Sequence, residues 1–250
     1  MALEYIYGYH PVVAAINPQS LIKVRKVFLV QDKYRELKPE LSKNKIEYEI
    51  ISLEAMNNLL KTTKHQNIAA YVKNYDYFTL DQLLSLQPIN KFARFLILDR
   101  ISDPHNFGSM LRIGAGNDFD GVIILNRNQS EINGAVAKAS AGALSIIPIC
   151  QVKNLTTAIN KLKNEHNFWI LAAAKTDKAI DYLDVKCDSN LGLIIGNEGE
   201  GISPKLLTHT DFVVQIPMSN NIESFNASVA CGIIANHIYI QTVKLNTNIS

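Results

Sequence analysis

Three short polar segments hold the side chains that could do chemistry in this chain. One contains Asn106 and Arg112, which span nearly two turns of a predicted helix, so both side chains are predicted to lie within reach of one mouth of the site. A second, Gly-Asn-Glu-Gly-Glu-Gly at 196–201, predicts an exposed turn with free backbone amides. A third, Glu-Ser-Phe-Asn-Ala-Ser at 223–228, follows Pro217, which ends regular strand pairing. Taken singly, each has a plainer interpretation: a helix cap, a solvated surface charge and tight turns.

Several common motifs are absent from the sequence. Gly114-Ala-Gly116 lacks the third glycine of a dinucleotide-binding fingerprint and lies inside a predicted helix, and no G-x-x-x-x-G-K-S/T phosphate loop occurs. The three cysteines, Cys150, Cys187 and Cys231, are widely spaced in apolar or strand-like surroundings, which favours reduced structural thiols. We therefore expect neither a nicotinamide enzyme nor a metal site.

Composition places the chain among ordinary globular proteins. Of its 250 residues 47% are apolar and 19% charged, and no apolar run approaches the roughly 18 residues of a membrane helix. The first fifteen residues lack the basic start of a signal peptide, so we predict a cytoplasmic protein without a membrane partner. The net charge is only +2, but Leu21–Lys45 carries eight basic residues against three acids. That cluster could bind phosphates, and a solvated helix face is an equally good interpretation.

Two groups of alternating helices and strands must position these segments. In the first, we predict helices at Tyr9–Ile16 and Leu53–Leu60 and strands at Val24–Val30, Ile46–Ile51 and Ile68–Val72. Residues 1–73 are therefore predicted to form a small α/β domain. Residues 74–93 are polar and mixed, with a short helix at Leu80–Leu86, and are predicted to be a linker.

The second group, 94–250, predicts a larger α/β domain with a parallel sheet. Its predicted strands are Phe95–Leu98, Val122–Leu125, Ser145–Cys150, Phe168–Ala173, Leu191–Ile195 and Phe212–Ile216. Its predicted helices are Asn106–Asn117, Ile132–Ser140, Leu155–Glu165, Ser203–Thr208 and a last one from Phe225, with Ser224 or Asn226 as cap and Val229, Ile233, Ile234, His237 and Ile238 on one stripe. Ligands of such sheets bind at the carboxyl ends of the strands. The turns after Leu98, Ile195 and Ile216 are therefore the predicted site.

The order of the motifs carries a family resemblance. Asp103-Pro104-x-Asn106-x-Gly108-x-x-x-Arg112, Ile195-Gly196-x-Glu198-x-x-Gly201, and Ile216-Pro217-Met218 followed by Ser224-Phe225-Asn226-x-Ser228 resemble the three motifs of the SpoU/TrmH (SPOUT) class of RNA 2′-O-ribose methyltransferases. The segments Tyr7–Val12 and His65–Ala70 resemble the substrate-binding domain of the RlmB-type subgroup, which methylates a guanosine of 23S ribosomal RNA. Asn67 and Phe225 depart from the usual Gly and Leu. Asn tolerates left-handed backbone angles, so the first change is mild.

The resemblance implies a fold, a cofactor and a set of site residues. The fold would be an L30e-like substrate-binding domain followed by a domain with a trefoil-knotted site for S-adenosyl-L-methionine (AdoMet). The cofactor-binding residues would be Gly196, Ile216 and Phe225, with Ala172, Ala173 and Met218 as weaker candidates. The catalytic residues would be Arg112, with Asn106, Glu198, Ser224 and Asn226 orienting it and the ribose.

The reaction implied is methyl transfer from AdoMet to the ribose 2′-hydroxyl of a 23S ribosomal RNA guanosine. The resemblance also implies a homodimer with its sites at the subunit interface. A transfer RNA substrate is the nearest alternative, and a non-catalytic RNA-binding module of the same fold is another.

Overall fold

The computed structural model describes residues 4–31, 33–88, 91–219 and 221–247, which form two β-sheets flanked by helices. The first sheet has the order β1-β4-β2-β3 and mixes antiparallel and parallel pairs. Its unit comprises β1 (Tyr5–Tyr7), α1 (Tyr9–Ile16), β2 (Val24–Val30), α2 (Lys38–Lys43), β3 (Glu47–Ile51), α3 (Leu53–Leu60) and β4 (Ile68–Val72). The helices and strands predicted for this unit are present, whereas β1 and α2, at three and six residues, were too short for the periodicity to predict.

The second sheet has seven strands in the order β7-β6-β5-β10-β8-β11-β9, and every pair is parallel. Its strands are β5 (Arg94–Asp99), β6 (Gly121–Leu125), β7 (Ile149–Val152), β8 (Phe168–Ala173), β9 (Ile180–Asp181), β10 (Asn190–Gly196) and β11 (Phe212–Gln215). Its helices are α4 (Leu80–Ser85), α5 (Pro104–Gly116), α6 (Gly134–Ala139), α7 (Leu155–His166), α8 (Pro204–Leu207) and α9 (Ala227–Thr247). All strands point the same way, so their carboxyl ends share one edge.

Two sequence predictions in this domain were wrong in detail. The strand predicted at Ser145–Cys150 begins only at Ile149, because residues 143–145 form a 3-10 turn and the Ser145 carbonyl accepts a hydrogen bond from Leu21 in the first domain. The predicted stripe of the last helix included Val229, which is 48% exposed. The stripe that is buried is formed by Cys231, Ile234, Ala235 and Ile238.

The two domains share one hydrophobic core. Helix α6 packs against β1 so closely that a Cβ on Gly134 would lie 2.9 Å from the Tyr7 ring. The predicted linker at 74–93 is also packed: the buried Tyr75 hydroxyl accepts a hydrogen bond from the Ile149 amide at 3.1 Å, and Phe78 pairs with Cys150 beside β7. The domain boundary itself stays a prediction. Among the described residues, no helix is long and apolar enough to cross a membrane.

Candidate active site

The turns predicted to converge do meet at the carboxyl edge of the second sheet. β10 pairs with β5 up to Gly196 and Asp99, and β8 lies between β10 and β11. The turns after β8, β10 and β11 and the start of α9 enclose a cleft of about 790 Å³. We call it the main cleft. Its walls are formed by residues 173–176, 195–202, 214–219 and 223–227, and its floor by Ala230 and Ile234 of α9.

One wall of the main cleft is the glycine-rich loop 197–203. Asn197 closes it: its side-chain oxygen accepts hydrogen bonds from the amides of Gly199 and Glu200 at 2.8 and 3.2 Å, and its carbonyl from the amide of Gly201 at 2.9 Å. A Cβ on Gly196 would lie 2.3 Å from the Gly201 carbonyl carbon. Glycine is therefore required at 196 because the loop folds back directly onto the strand end.

Asp99, the last residue of β5, and Arg100, which follows it, hold this loop through hydrogen bonds and ion pairs. We call the two residues the clamp. The buried Asp99 carboxylate accepts a hydrogen bond from the Ser203 amide at 2.8 Å and pairs with Arg100 at 3.1 Å. Arg100 also pairs with Glu200 and, at 3.3 Å, donates to the Gly201 carbonyl. The bond to Asp99, followed by the charges of Asp99 and Glu200, raises the pKa of Arg100. We did not predict this clamp from the sequence; the only signal was an Asp-Arg pair opening a turn of the site.

Three of the five predicted catalytic residues form a continuous hydrogen-bonded chain. The Asn106 amide donates to the Glu198 carboxylate at 2.5 Å, and its oxygen accepts from the Asn226 amide at 3.2 Å. Asn226 is in turn held by Ser228, whose hydroxyl and amide donate to its oxygen at 2.7 and 2.9 Å, as a cap of α9. We call Asn106, Glu198 and Asn226 the polar chain. It joins the turns after β5, β10 and β11.

The other two predicted catalytic residues lie outside the polar chain. Ser224 lines the main cleft, whereas Arg112 is exposed on α5 and is not part of its lining. Asn106 and Arg112 are six residues apart, which places them about 120° apart around an α-helix and about 9 Å along its axis. We predicted that both side chains reach one mouth of the site. Because of this separation, the substrate or another subunit would have to bridge them.

Five of the six predicted cofactor-binding residues line the main cleft: Gly196, Ile216, Phe225, Ala173 and Met218. Ala172 does not. It is fully buried in β8 between β10 and β11, because both faces of a central parallel strand are covered and only the strand's end is open. Thr176, which we did not predict, lines the cleft, and its buried hydroxyl has no hydrogen-bond partner in the described part of the chain.

A second cleft of about 500 Å³ lies at the ends of β6 and β7. It is lined by residues 125–132, Gln151 and the tyrosines Tyr75 and Tyr77, and it is largely polar. The Gln129 side chain accepts a hydrogen bond from the Ile101 amide at 2.9 Å, so this cleft adjoins the turn after β5.

Metal-ligating clusters and reactive thiols are not features of the site. Within the described ranges, no group of three His, Cys, Asp or Glu side chains could hold a metal ion. The free cysteines Cys150, Cys187 and Cys231 are buried, and burial raises the pKa of each thiol to about 12. They are protonated at neutral pH and structural in character.

Comparison with known protein families agrees with this geometry. Residues 5–78 match the family described as RNA 2′-O ribose methyltransferase substrate binding, and residues 93–236 match the SpoU rRNA Methylase family. The second match alone covers more than half of the chain. The chain belongs to the SpoU family of RNA methyltransferases. The family transfers methyl groups from AdoMet to ribose 2′-hydroxyls of RNA.

Individual relatives of this SpoU-family chain span most of its length. A protein of Staphylococcus haemolyticus (strain JCSC1435), assigned to the TrmH family of tRNA/rRNA methyltransferases, is 38% identical over 190 residues, 76% of each chain. One of Staphylococcus epidermidis (strain ATCC 35984), assigned in the same words, is 35% identical over 240 residues, 94% of each chain.

Solved structures show the same fold. The SpoU methyltransferase AviRb from Streptomyces viridochromogenes is similar with a TM-score of 0.80 at 21% identity, covering 96% of this chain and 90% of that one. AviRb has also been solved in complex with AdoMet, with a TM-score of 0.79 and 20% identity over the same shares of the two chains. An AdoMet-bound rRNA methyltransferase from Sinorhizobium meliloti is similar with a TM-score of 0.76 at 17% identity, covering 94% and 86%. The expected α/β fold is confirmed, and the knot implied by the resemblance stays a prediction.

Proposed function

We propose that the main cleft binds AdoMet and that the chain methylates the ribose 2′-hydroxyl of a guanosine in 23S ribosomal RNA. One observation carries the proposal: Glu198 and Asn226 of the polar chain line the main cleft, and Asn106 bonds to both of them from the start of α5. A nucleoside held by these groups would lie next to a ligand in the cleft.

The main cleft suits AdoMet in size and chemistry. About 790 Å³ lies in the range of small-ligand sites. Apolar side chains such as Ile216, Met218 and Ile234 can contact the adenine and the methylene groups of the methionine arm. The free hydroxyl of Thr176 and the amides of loop 197–203 can bind polar groups of the cofactor. When bound, AdoMet would supply a methyl group already activated on a sulfonium.

The protein's task is then to align the nucleophile and help it lose one proton. We propose that the polar chain orients the ribose, so that its 2′-hydroxyl would face the methyl group that bound AdoMet would supply. Arg112 would bind the adjacent phosphate and polarise the hydroxyl, whose proton leaves to solvent. A guanidinium has five N–H donors and no acceptor for a proton, so we assign Arg112 no role as a general base.

The choice of a ribosomal guanosine rests on the first domain. Tyr7–Val12 and His65–Ala70 carry the resemblance to the RlmB-type subgroup, and residues 5–78 match a substrate-binding family. The relatives are assigned to tRNA/rRNA methyltransferases, so transfer RNA is the alternative that the test must separate.

The experiment uses the purified full chain, labelled AdoMet and three unmodified transcripts: 23S ribosomal RNA, 16S ribosomal RNA and a transfer RNA mixture. Labelled RNA is digested to nucleosides and the 2′-O-methyl nucleosides are identified by mass spectrometry. We expect 2′-O-methylguanosine from 23S RNA alone. Methylation of the transfer RNA alone would show that transfer RNA is the substrate. AdoMet binding without methylation of any RNA would support a non-catalytic module.

We also propose a homodimer whose subunits complete each other's sites. Arg112 is exposed and separated from the polar chain of its own subunit, and Val229 and Ile240 of α9 are 48% and 43% exposed. Mixing an Arg112→Ala chain with a Gly196→Ala chain tests this. Recovered methyl transfer in the mixture is the expected result, and two inactive chains that stay inactive after co-refolding would contradict it.

A further inference from the structure

Two tyrosines meet at the end of the first sheet that faces the methyltransferase domain. The rings of Tyr9 and Tyr34 lie 5.2 Å apart at an angle of 33°, and the ammonium group of Lys33 lies 5.4 Å from the centre of the Tyr34 ring. His10, exposed, packs edge-on against Tyr9. Lys33 is exposed, so the cation that covers this face of the half-buried Tyr34 ring is a side chain that a ligand can displace.

Unusual backbone conformations are concentrated around the two rings. Among the described residues, eleven non-glycine residues have positive φ, and four of them lie here: Gln31, Tyr34, Gln66 and Asn67, with φ of 54°, 67°, 56° and 67°. They are held by hydrogen bonds. The Tyr34 hydroxyl donates to the Gln66 carbonyl at 2.7 Å, and the Gln66 side chain accepts from the Tyr9 amide at 2.9 Å. Conformations of this kind are typical of sites where a ligand is bound.

The surface around these rings is positively charged. Lys33, Lys64 and Lys138 are close by, and in the described part of the chain none of the three pairs with a carboxylate. Lys138 donates to the Lys64 carbonyl, and its pKa is lowered by burial and then by the charge of Lys64. Among the described residues Glu36 is an opposing acid, and its charge adds to burial in raising the pKa of Tyr34. The net field favours an anion.

On the open face of the same sheet, aromatic rings lie beside acidic side chains instead of lysines that lack a carboxylate partner. There Tyr71, which is 38% exposed, packs against Tyr5 with ring centres 5.4 Å apart. The strand register places Glu47 and Glu49 on that face, where Lys26 is already paired with Glu49 at 2.7 Å. Aromatic rings are thus present on both surfaces. Among the described residues, the lysines near Tyr34 are not paired with a carboxylate, whereas the lysine near Tyr71 is paired with Glu49.

The Tyr34 surface continues toward the catalytic helix. Lys138 lies on α6, where its neighbour Ala139 is so close to α5 that a Cβ on Gly108 would lie 2.5 Å from the Ala139 Cβ. Arg112 is one helical turn beyond Gly108, about 6 Å along the axis and on nearly the same side of α5. A chain of phosphates could therefore run from Lys33 past Lys138 to Arg112.

We propose that the surface formed by Tyr9, Lys33, Tyr34, Lys64 and Lys138 binds a single-stranded segment of the RNA substrate next to the methylated nucleotide. Tyr34 stacks on an unpaired base, and the three lysines bind the phosphates on either side of it. The proposal rests on the proposed function, because it names where the same substrate is gripped. It also predicts that a fully base-paired RNA is a poor substrate.

The test compares three variants of the full chain: Tyr34→Leu, Tyr34→Phe and, as a matched control, Tyr71→Leu. Affinity for a 23S fragment is measured by filter binding, AdoMet affinity by calorimetry, and folding by thermal melting. Loss of one stacked base costs about tenfold in RNA affinity. We expect that loss for Tyr34→Leu with AdoMet affinity unchanged, and near wild-type RNA binding for Tyr34→Phe and Tyr71→Leu.

Other outcomes separate this inference from the proposed function. Equal RNA affinity for Tyr34→Leu and the wild type would overturn the inference while leaving methyl transfer intact. An equal loss in Tyr71→Leu, or in Tyr34→Phe, would also overturn it, since stacking at Tyr34 would not be the cause. A wild-type chain that binds the RNA through Tyr34 but never methylates it would overturn the proposed function alone.

Discussion

The two ends of helix α5 present opposite degrees of order. At its first turn, Asn106 is bonded on both sides, to Glu198 and to Asn226, and the loop that carries Glu198 is clamped by Asp99 and Arg100. At its third turn, Arg112 extends into solvent. The first end is held in place by hydrogen bonds within the chain, and we propose that the second gains its partner from RNA or another subunit. On this proposal, binding of the cofactor and alignment of the RNA can be separated by mutation.

The largest loss in the rate of methyl transfer is expected from Arg112→Ala, which changes the exposed side of the comparison. Removing a group that polarises the hydroxyl and positions the phosphate should lower the rate of methyl transfer by about a thousandfold. AdoMet affinity should stay within a factor of two, because Arg112 is not part of the main cleft. Single-turnover transfer and calorimetry on one preparation measure both. Retained turnover would contradict the role of Arg112.

Gly196→Ala should disrupt the main cleft, which is the ordered side of the comparison. The new Cβ would lie 2.3 Å from the Gly201 carbon, so loop 197–203 must move and AdoMet affinity should fall by about a hundredfold or more. Gly116→Ala is the matched control, because a Cβ there meets nothing within 4 Å. Similar cofactor titrations for the two variants would show that the loop does not form the site.

Asn106→Ala tests the polar chain between the two ends. It removes the link from α5 to Glu198 and Asn226, so we expect a loss of about thirtyfold in the rate of transfer at saturating AdoMet. Asn106→Asp is informative beside it, because a second carboxylate facing Glu198 keeps the shape but repels. An unchanged rate in both variants would show that the polar chain does not contribute to methyl transfer.

The smallest effect is expected from Arg100→Gln. It releases Glu200 and leaves the buried Asp99 with the Ser203 amide alone, so AdoMet affinity should weaken by about fivefold and melting should fall slightly. Lys153→Gln, which removes an exposed cation beyond β7, serves as the control. Equal cofactor affinities for both variants would show that loop 197–203 keeps its conformation without Arg100.

The sequence predicted most of the second sheet because buried parallel strands are continuous apolar runs. The runs at Phe168–Ala173 and Leu191–Ile195 are examples, and the convergence of their turns followed from strand direction alone. Short elements such as β1 and β9 carry too few residues for a period. The Arg100–Glu200 pair joins residues one hundred positions apart, which no local pattern encodes.

Two details of the site could not be read from the sequence pattern. Apolar alternation does not mark where a strand leaves the sheet, so Ala172 and Ala173 looked equivalent although only the second reaches the cleft. Similarly, the helix containing Asn106 and Arg112 was predicted correctly, but their angular separation places them on different sides of it. Asn67, by contrast, does adopt the left-handed conformation that its position in the motif requires.

Amide hydrogen exchange with and without AdoMet tests the central claim most directly, because it distinguishes the two clefts in one experiment. We predict slower exchange after addition of AdoMet at 196–201, 216–219 and 225–227, and unchanged exchange at 125–132 around the second cleft. Protection at 125–132 without protection at 196–201 would contradict the account.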